Sequence, residues 1–235
     1  MKNPKIIYED NDIIVCYKPA GIATQTRRIG QQDMESFIRN YRAAKNEPPY
    51  VGIVHRLDQP VEGVMVFAKN QKAAASLSRQ IKEHTTEKYY RAASRGHGVS
   101  GADKKEDNHD PAWHTLTDYI SFDKRTNTSK ITSEKDRLAK KAVLQYRILS
   151  NECNKTEFDI KLLTGRHHQI RLQLAHIGYP LIGDTKYGKP ASNNSGTGSK
   201  SGRTGGGVRE QLALCSYKLV FDHPATGERM TFELP

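Results

Sequence analysis

The chain has little that would staple it, anchor it in a membrane or load it with metal. Its 235 residues include only three cysteines, Cys16, Cys153 and Cys215. Their number is odd and no Cys-x-x-Cys pair occurs, so neither a disulfide framework nor a zinc ribbon is supported, and a reducing compartment fits. No apolar run approaches the roughly eighteen residues that a membrane-spanning helix needs. Met1-Lys2-Asn3-Pro4-Lys5 leads straight into the strand-like Ile6-Ile7-Tyr8, which leaves no room for a signal peptide. A cytoplasmic protein without membrane contact is expected. Also missing are the Gly-x-x-x-x-Gly-Lys-Ser/Thr loop, Gly-x-Gly-x-x-Gly after a strand, the Gly-x-Ser-x-Gly elbow and any cysteine ligand cluster. Nucleotide hydrolysis, hydride transfer and zinc deamination lose support accordingly. His109 and His114 have no cysteine or second histidine at ligand spacing, so they read as loop histidines, and no metal is expected.

What is abundant is positive charge. Lys and Arg number 37 against 26 Asp and Glu, a formal charge of +11 with a pI near 9.5, which points to a polyanionic partner. The length suits one large domain or two small ones with a proper core. Ile6-Ile7-Tyr8 and Ile13-Ile14-Val15-Cys16-Tyr17 read as two short strands around a polar turn, closed by Lys18-Pro19-Ala20-Gly21, where Lys18 is able to meet a phosphate. Met34, Phe37, Ile38 and Tyr41 mark one face of a helix whose Arg39, Arg42 and Lys45 form a solvated face; Glu47-Pro48-Pro49 ends it. Asn70 caps a second helix with Ala74, Leu77 and Ile81 inward. Residues 88–93, 115–120, 141–149 and 156–163 alternate as strands, and 212–221 with 229–232 form a closing hairpin. Strands in succession across polar turns predict an antiparallel sheet. Residues 96–112 and 191–207 are polar and read as flexible insertions, with Trp113 packed at the base of the first.

Two clusters stand out. The first is Ile53-Val54-His55-Arg56-Leu57-Asp58-Gln59-Pro60-Val61-Glu62-Gly63, followed by the apolar run Val64 to Ala68. A carboxylate beside a buried strand either faces water or is held by a cation for a purpose, because burying it alone costs several kcal/mol. The second is Thr164-Gly165-Arg166-His167-His168-Gln169-Ile170-Arg171, at a junction between a strand and a helix with Ile170, Leu174 and Ile177 inward. With Lys88-Tyr89-Tyr90-Arg91-Ala92 between them, and Ala175 to Asp184 and Tyr187-Gly188 after them, these motifs resemble the RluA-type pseudouridine synthases, in the same order and from Ile6 to Pro235.

The resemblance implies an α+β fold, a mixed and mainly antiparallel sheet flanked by helices, in a single catalytic domain over residues 1–235 with no separate N-terminal RNA-binding domain. It implies an isomerase that converts specific uridines of rRNA or tRNA to pseudouridine without a cofactor. Such an enzyme needs a carboxylate at the sugar, adding to C1′ or taking a proton from C2′, and a group for the proton left on C5. By the resemblance Asp58 is the catalytic aspartate, Tyr90 the active-site tyrosine and Arg166 the arginine paired with Asp58. Tyr90 also offers a face to stack on uracil. Arg56 is placed to fill the gap left by a flipped base, to grip a phosphate or to form a structural ion pair, and Lys88, His168, Gln169 and Arg171 are RNA contacts or supports of the site. His55 orients the Asp58 loop, since the mechanism needs no imidazole. Two departures from the family pattern bear on target choice: Gln59-Pro60-Val61-Glu62 replaces the usual segment before Gly63, and His167 stands where a threonine is usual. Two other readings compete, a catalytically silent RNA-binding module of the same fold and a glycosidase using Asp58 with Glu62. RNA is the expected partner and a monomer the simplest state.

Overall fold

The computed structural model describes residues 3–26, 28, 30–95, 110–152, 155–188 and 210–235. The expected insertions at 96–112 and 191–207 lie outside the described residues, apart from 110–112, as do His109 and Cys153. In chain order the elements are β1 (Lys5–Glu9), β2 (Ile13–Lys18), α1 (Met34–Ala44), β3 (Gly52–Ile53), β4 (Glu62–Ala68), α2 (Gln71–Lys82), β5 (Glu87–Arg95), β6 (Asp110–Asp123), β7 (Thr128–Thr132), β8 (Lys140–Glu152), β9 (Lys155–Leu162), α3 (Gln169–His176), β10 (Leu214–Asp222) and β11 (Arg229–Glu233). The strands join in one sheet with the order β1-β2-β4-β10-β5-β9-β8-β6-β7, β11 pairing with β10 and β3 with β4. β4 and β10 run parallel; the other pairings among the described strands are antiparallel. This is the mixed, mainly antiparallel sheet that was expected.

The uninterrupted apolar run of β4 is explained by burial on both faces. Met65 and Phe67 point to one side with Ile14 and Cys16 of β2, where Met34 and Ile38 of α1 cover them. Val64 and Val66 point to the other with Ile13 and Val15, under Ala73 and Leu77 of α2. Alternation along each strand thus feeds two cores at once. Asp33 caps α1, its carboxylate accepting from the Ser36 amide at 2.7 Å, and the Asn70 side chain caps α2 through the Ala73 amide at 2.8 Å. The solvated face expected on α1 is corrected at Arg42, which is buried: its guanidinium donates to the carbonyls of Tyr50 and Lys69 and pairs with Glu47. It fastens the chain after the helix to the end of β4. His114 lies in β6 against Tyr146 rather than in a loop, and β7 completes a hairpin that the alternation did not reveal.

Between β3 and β4 the chain carries Asp58 on a loop held at every second residue. The Thr24 hydroxyl donates to the Leu57 carbonyl at 2.9 Å and accepts from the Leu57 amide at 3.2 Å. Leu57 itself is buried, which contributes about 2 kcal/mol to holding the loop down. Lys18, read from sequence as a phosphate contact, has no exposed surface; its ammonium donates to the carbonyls of Pro19, Ile22 and Gln59 at 3.2, 2.6 and 3.2 Å. His55 accepts the Val66 amide on Nε2 at 3.1 Å. Burial pushes its pKa down to about 3, with Lys88 adding to the effect, so the ring is a neutral strut. Beyond the loop, Gly63 lies opposite Ser216 of β10 with φ +142, and a Cβ there would sit 2.3 Å from the Ser216 carbonyl oxygen.

Two stability effects follow. Gly63→Ala adds a clash with backbone to a strained φ and is expected to cost about 3 kcal/mol, whereas Gly21→Ala, at φ +88 with open space around it, costs about 1 kcal/mol; urea unfolding of both variants reads the difference. For His55 the unfolded chain binds a proton below about pH 6.5 that the folded chain refuses until about pH 3. Stability therefore falls on acidification through that window, by about 1.4 kcal/mol per pH unit at most. His55→Gln, which keeps an acceptor for Val66, is expected to flatten the loss measured between pH 7 and pH 5.

Candidate active site

The Asp58 loop, β5 and the turn before α3 close around a cleft of about 640 Å3 lined by Asp58, Arg56, Lys88, Tyr90, Arg166 and His167 among others. That is room for one extruded nucleotide. Antiparallel pairing of β5 with β10 places Tyr90 against Ser216, and Ser216 against Gly63, so three neighbouring strands bring the phenol to the Asp58 side of the sheet. Tyr90 is buried and hydrogen-bonds Ser216; burial, with the Asp58 charge adding to it, pushes its pKa up to about 12. At neutral pH it is a protonated phenol, a donor rather than a base.

Asp58 is only part-buried, and its carboxylate meets two side chains from α3 and its cap. Arg171 Nη1 lies 3.7 Å and His168 Nε2 3.5 Å from the same oxygen, Oδ2. The pair expected between Asp58 and Arg166 is corrected here: Arg166 donates from Nε to the Lys141 carbonyl at 2.8 Å, while Arg171, in the first turn of α3, is the cation at the aspartate. The reason is local geometry. Arg166 sits in the turn before the helix, where it meets a carbonyl at the start of β8, whereas Arg171 projects from the helix into the buried floor.

Arg171 is held by a residue that sequence reasoning passed over. Asp184, whose side chain has no exposed surface, takes its fork with Nε to Oδ2 at 2.7 Å and Nη2 to Oδ1 at 2.8 Å. Oδ1 also accepts the amides of Lys186 and Tyr187 at 2.8 and 3.1 Å. The bidentate pair leaves Nη1 facing Asp58. Nothing in the spacing of Asp184, thirteen residues beyond Arg171, signals the contact; its only mark was membership of a family-like motif.

His168 is buried and adopts a left-handed conformation, φ 54, as the cap of α3. Its Nδ1 is 2.9 Å from the Tyr187 hydroxyl, which accepts the Ser129 amide at 2.9 Å. Burial, with Arg171 beside it, pushes its pKa down to about 3. A neutral ring that takes the tyrosine proton on Nδ1 carries its own on Nε2, toward Asp58. Gln169 is engaged inside the protein at both ends of its amide, accepting from Thr164 and the Arg166 amide and donating to Gln173. Of the five residues considered for RNA contact, His168, Gln169 and Arg171 therefore form the frame of the site. Arg56 is exposed. Lys88 has its pKa lowered by burial and no acidic partner among the described residues.

Glu62 is not a second carboxylate of this cleft. It accepts the Tyr17 hydroxyl and lines a separate hollow with Arg91 and Cys215, so the glycosidase pair is not assembled. Elsewhere Asp10, Asp12 and His223 cluster, but Asp10 accepts from Tyr8, His223 and two amides and serves to tie the β1–β2 turn to the β10–β11 turn.

Known proteins resemble this chain in sequence and fold. Residues 12–176 match the family model described as RNA pseudouridylate synthase. The ribosomal large subunit pseudouridine synthase D of Vibrio cholerae is 32% identical over 238 residues, covering 98% of this chain and 66% of that protein. The enzyme of the same name from Pseudomonas aeruginosa is 33% identical, covering 98% and 68%; for that of Neisseria meningitidis the share of its length is 57%. The chain thus spans roughly two thirds or less of most of these relatives. Among solved structures, human RNA pseudouridylate synthase domain containing 4 superposes with a TM-score of 0.70 at 20% identity, over 98% of this chain and 87% of its own. Human RNA pseudouridylate synthase domain containing 1 gives 0.67 at 25%, over 99% and 83%. A match that runs from β2 to the end of α3 and includes Asp58, Tyr90 and Arg171 leaves one conclusion: this chain belongs to the RNA pseudouridylate synthase family.

Proposed function

We propose that this chain isomerises a uridine of large-subunit ribosomal RNA to pseudouridine, with Asp58 as the catalytic carboxylate. The observation that carries the reading is an accessible aspartate at the base of a nucleotide-sized cleft, its Oδ2 set between Arg171 and His168 and its neighbour a protonated tyrosine. The relatives' names supply the ribosomal RNA. The reaction neither adds nor removes atoms: the N1–C1′ bond breaks, uracil turns, C5 bonds to C1′, and the C5 proton is lost as N1 gains one.

Each group has a task in that sequence. Asp58, with Arg171 facing it, adds to C1′ or takes the C2′ proton; either route needs the carboxylate at the sugar. Tyr90 stacks beneath the uracil, its protonated phenol donating a hydrogen bond to the base, while the C5 proton passes to water in the cleft. Arg171, Asp184 and His168 position the carboxylate. Arg56, Lys88 and the outer nitrogens of Arg166 meet the RNA backbone, and Arg56 fills the space vacated by the flipped uridine. The reaction requires no cofactor.

Pseudouridine mapping on unmodified transcripts of large-subunit ribosomal RNA tests the reading. The parent protein should create a new site, and Asp58→Asn should lose it while still binding the RNA; silence from the parent, on this RNA and on transfer RNA, would leave the silent binding module as the better account. Affinity should fall steeply with salt, and Arg56→Ala and Lys88→Ala should each lower the slope of log affinity against log salt by about one. Asp184→Asn strands the buried Arg171 charge and is expected to cost about 3 kcal/mol in urea unfolding, with turnover falling beyond what the unfolded fraction explains.

A further inference from the structure

From the cleft outward three rings stand in a row. The centroids of Phe122 on β6 and His167 are 4.2 Å apart, and those of His167 and His168 are 3.7 Å apart. His168 ends the row at Asp58; Phe122 ends it outside, 39% exposed. The row thus leads from solvent to the reacting carboxylate. His167 lines the cleft, and it is the residue that departs from the family's usual threonine.

The hydrogen bonds of His167 settle which nitrogen is free. The Ser129 hydroxyl lies 2.9 Å from the His167 carbonyl oxygen, to which it donates, and 2.9 Å from Nδ1. It has one hydrogen. Given to the carbonyl, that hydrogen leaves the serine oxygen an acceptor, so Nδ1 carries the ring proton and Nε2 keeps a bare lone pair. Burial lowers the pKa of the ring against the opposing pull of Asp58, with Lys186, Arg171 and Arg56 adding to the lowering, so the imidazole is neutral near pH 7. Its Nε2 has no partner among the described residues. A neutral acceptor with Arg56 and Lys186 near it, beside an exposed aromatic face, suits a nucleotide, whose phosphate meets these cations while its base stacks and its hydroxyl or amino group donates.

We infer that Phe122 and His167 form a subsite for the nucleotide next to the target uridine, its base stacking on Phe122 and its ribose 2′-hydroxyl or base amino group donating to His167 Nε2. The inference rests on the reading of the cleft as the uridine site. It gives this chain a target preference of its own, because threonine offers neither ring nor imine nitrogen.

The test uses a uridine-containing RNA nonamer with 2-aminopurine on one or the other side of the central uridine, and stem-loops cut from the site mapped in ribosomal RNA. The parent should quench the 2-aminopurine at one flank, and Phe122→Ala and His167→Thr should lose that quench. In the stem-loops, removing the flanking 2′-hydroxyl or the flanking amino group, whichever donates, should slow the parent about tenfold and leave His167→Thr no slower than it already is. Equal quenching by all three proteins, or the same response of parent and variants to the flanking changes, overturns the subsite. Phe122 is exposed on its strand, so its truncation leaves a folded protein to measure. A parent that quenches the nonamer but forms no pseudouridine in ribosomal or transfer RNA supports the subsite and overturns the isomerase reading, which keeps the two failures apart.

Discussion

The Arg171 guanidinium is the constraint on which the cleft depends. It is buried, and a buried cation must be matched. Asp184 takes two of its nitrogens in a fixed fork, which leaves the third nothing to do but face Asp58 at 3.7 Å. One anion is consumed in structure so that the other, at the cleft floor, gains a cation whose direction does not vary. A lysine would meet the charge requirement but not the geometry, since its ammonium has no second edge to be held by. His168 turns Nε2 toward the same oxygen at 3.5 Å, and its own orientation is set by Tyr187 and Ser129. The outermost hairpin, β6–β7, is in this way linked to the carboxylate through a short chain of polar contacts.

The other half of the constraint lies under the Asp58 loop. Lys18, Thr24 and His55 are polar residues spent on backbone groups of that loop and its flanks. Each would cost free energy if left unpaired in the interior, so each holds the loop in one place. The parallel contact between β4 and β10 at Gly63 and Ser216 then sets the distance from the loop to Tyr90. Sheet pairing delivers the phenol, and backbone pinning delivers the carboxylate.

Local signals in the sequence carried the elements well. The strand and helix periods of residues 13–18, 34–44, 71–82 and 214–222 are strong because these segments face one or two cores, and Asn70 announced its helix by capping it. The resemblance located the cleft. What the sequence did not show were side-chain contacts set by tertiary geometry: that Arg171 and not Arg166 meets Asp58, that Asp184 holds it, and that Lys18 and Arg42 turn inward to carbonyls. Charged residues default to solvent in any reading of composition, and only the fold reveals which buried carbonyls and carboxylates await them. β7 was missed because its half-buried, Thr- and Lys-rich stretch lacks the apolar alternation that marks the inner strands.

The assignment of Arg171 as the partner of Asp58 is tested most directly by single-turnover rates on the large-subunit transcript for Arg171→Lys and Arg166→Lys side by side. The account predicts that Arg171→Lys slows the chemical step by about 100-fold or more with RNA affinity little changed. Arg166→Lys, facing the RNA, should alter affinity and leave the rate at saturation within about tenfold. If Arg166→Lys proves the more damaging to the saturated rate, the aspartate takes its cation from the turn when RNA is bound, and the central role given to the Arg171–Asp184 fork is wrong.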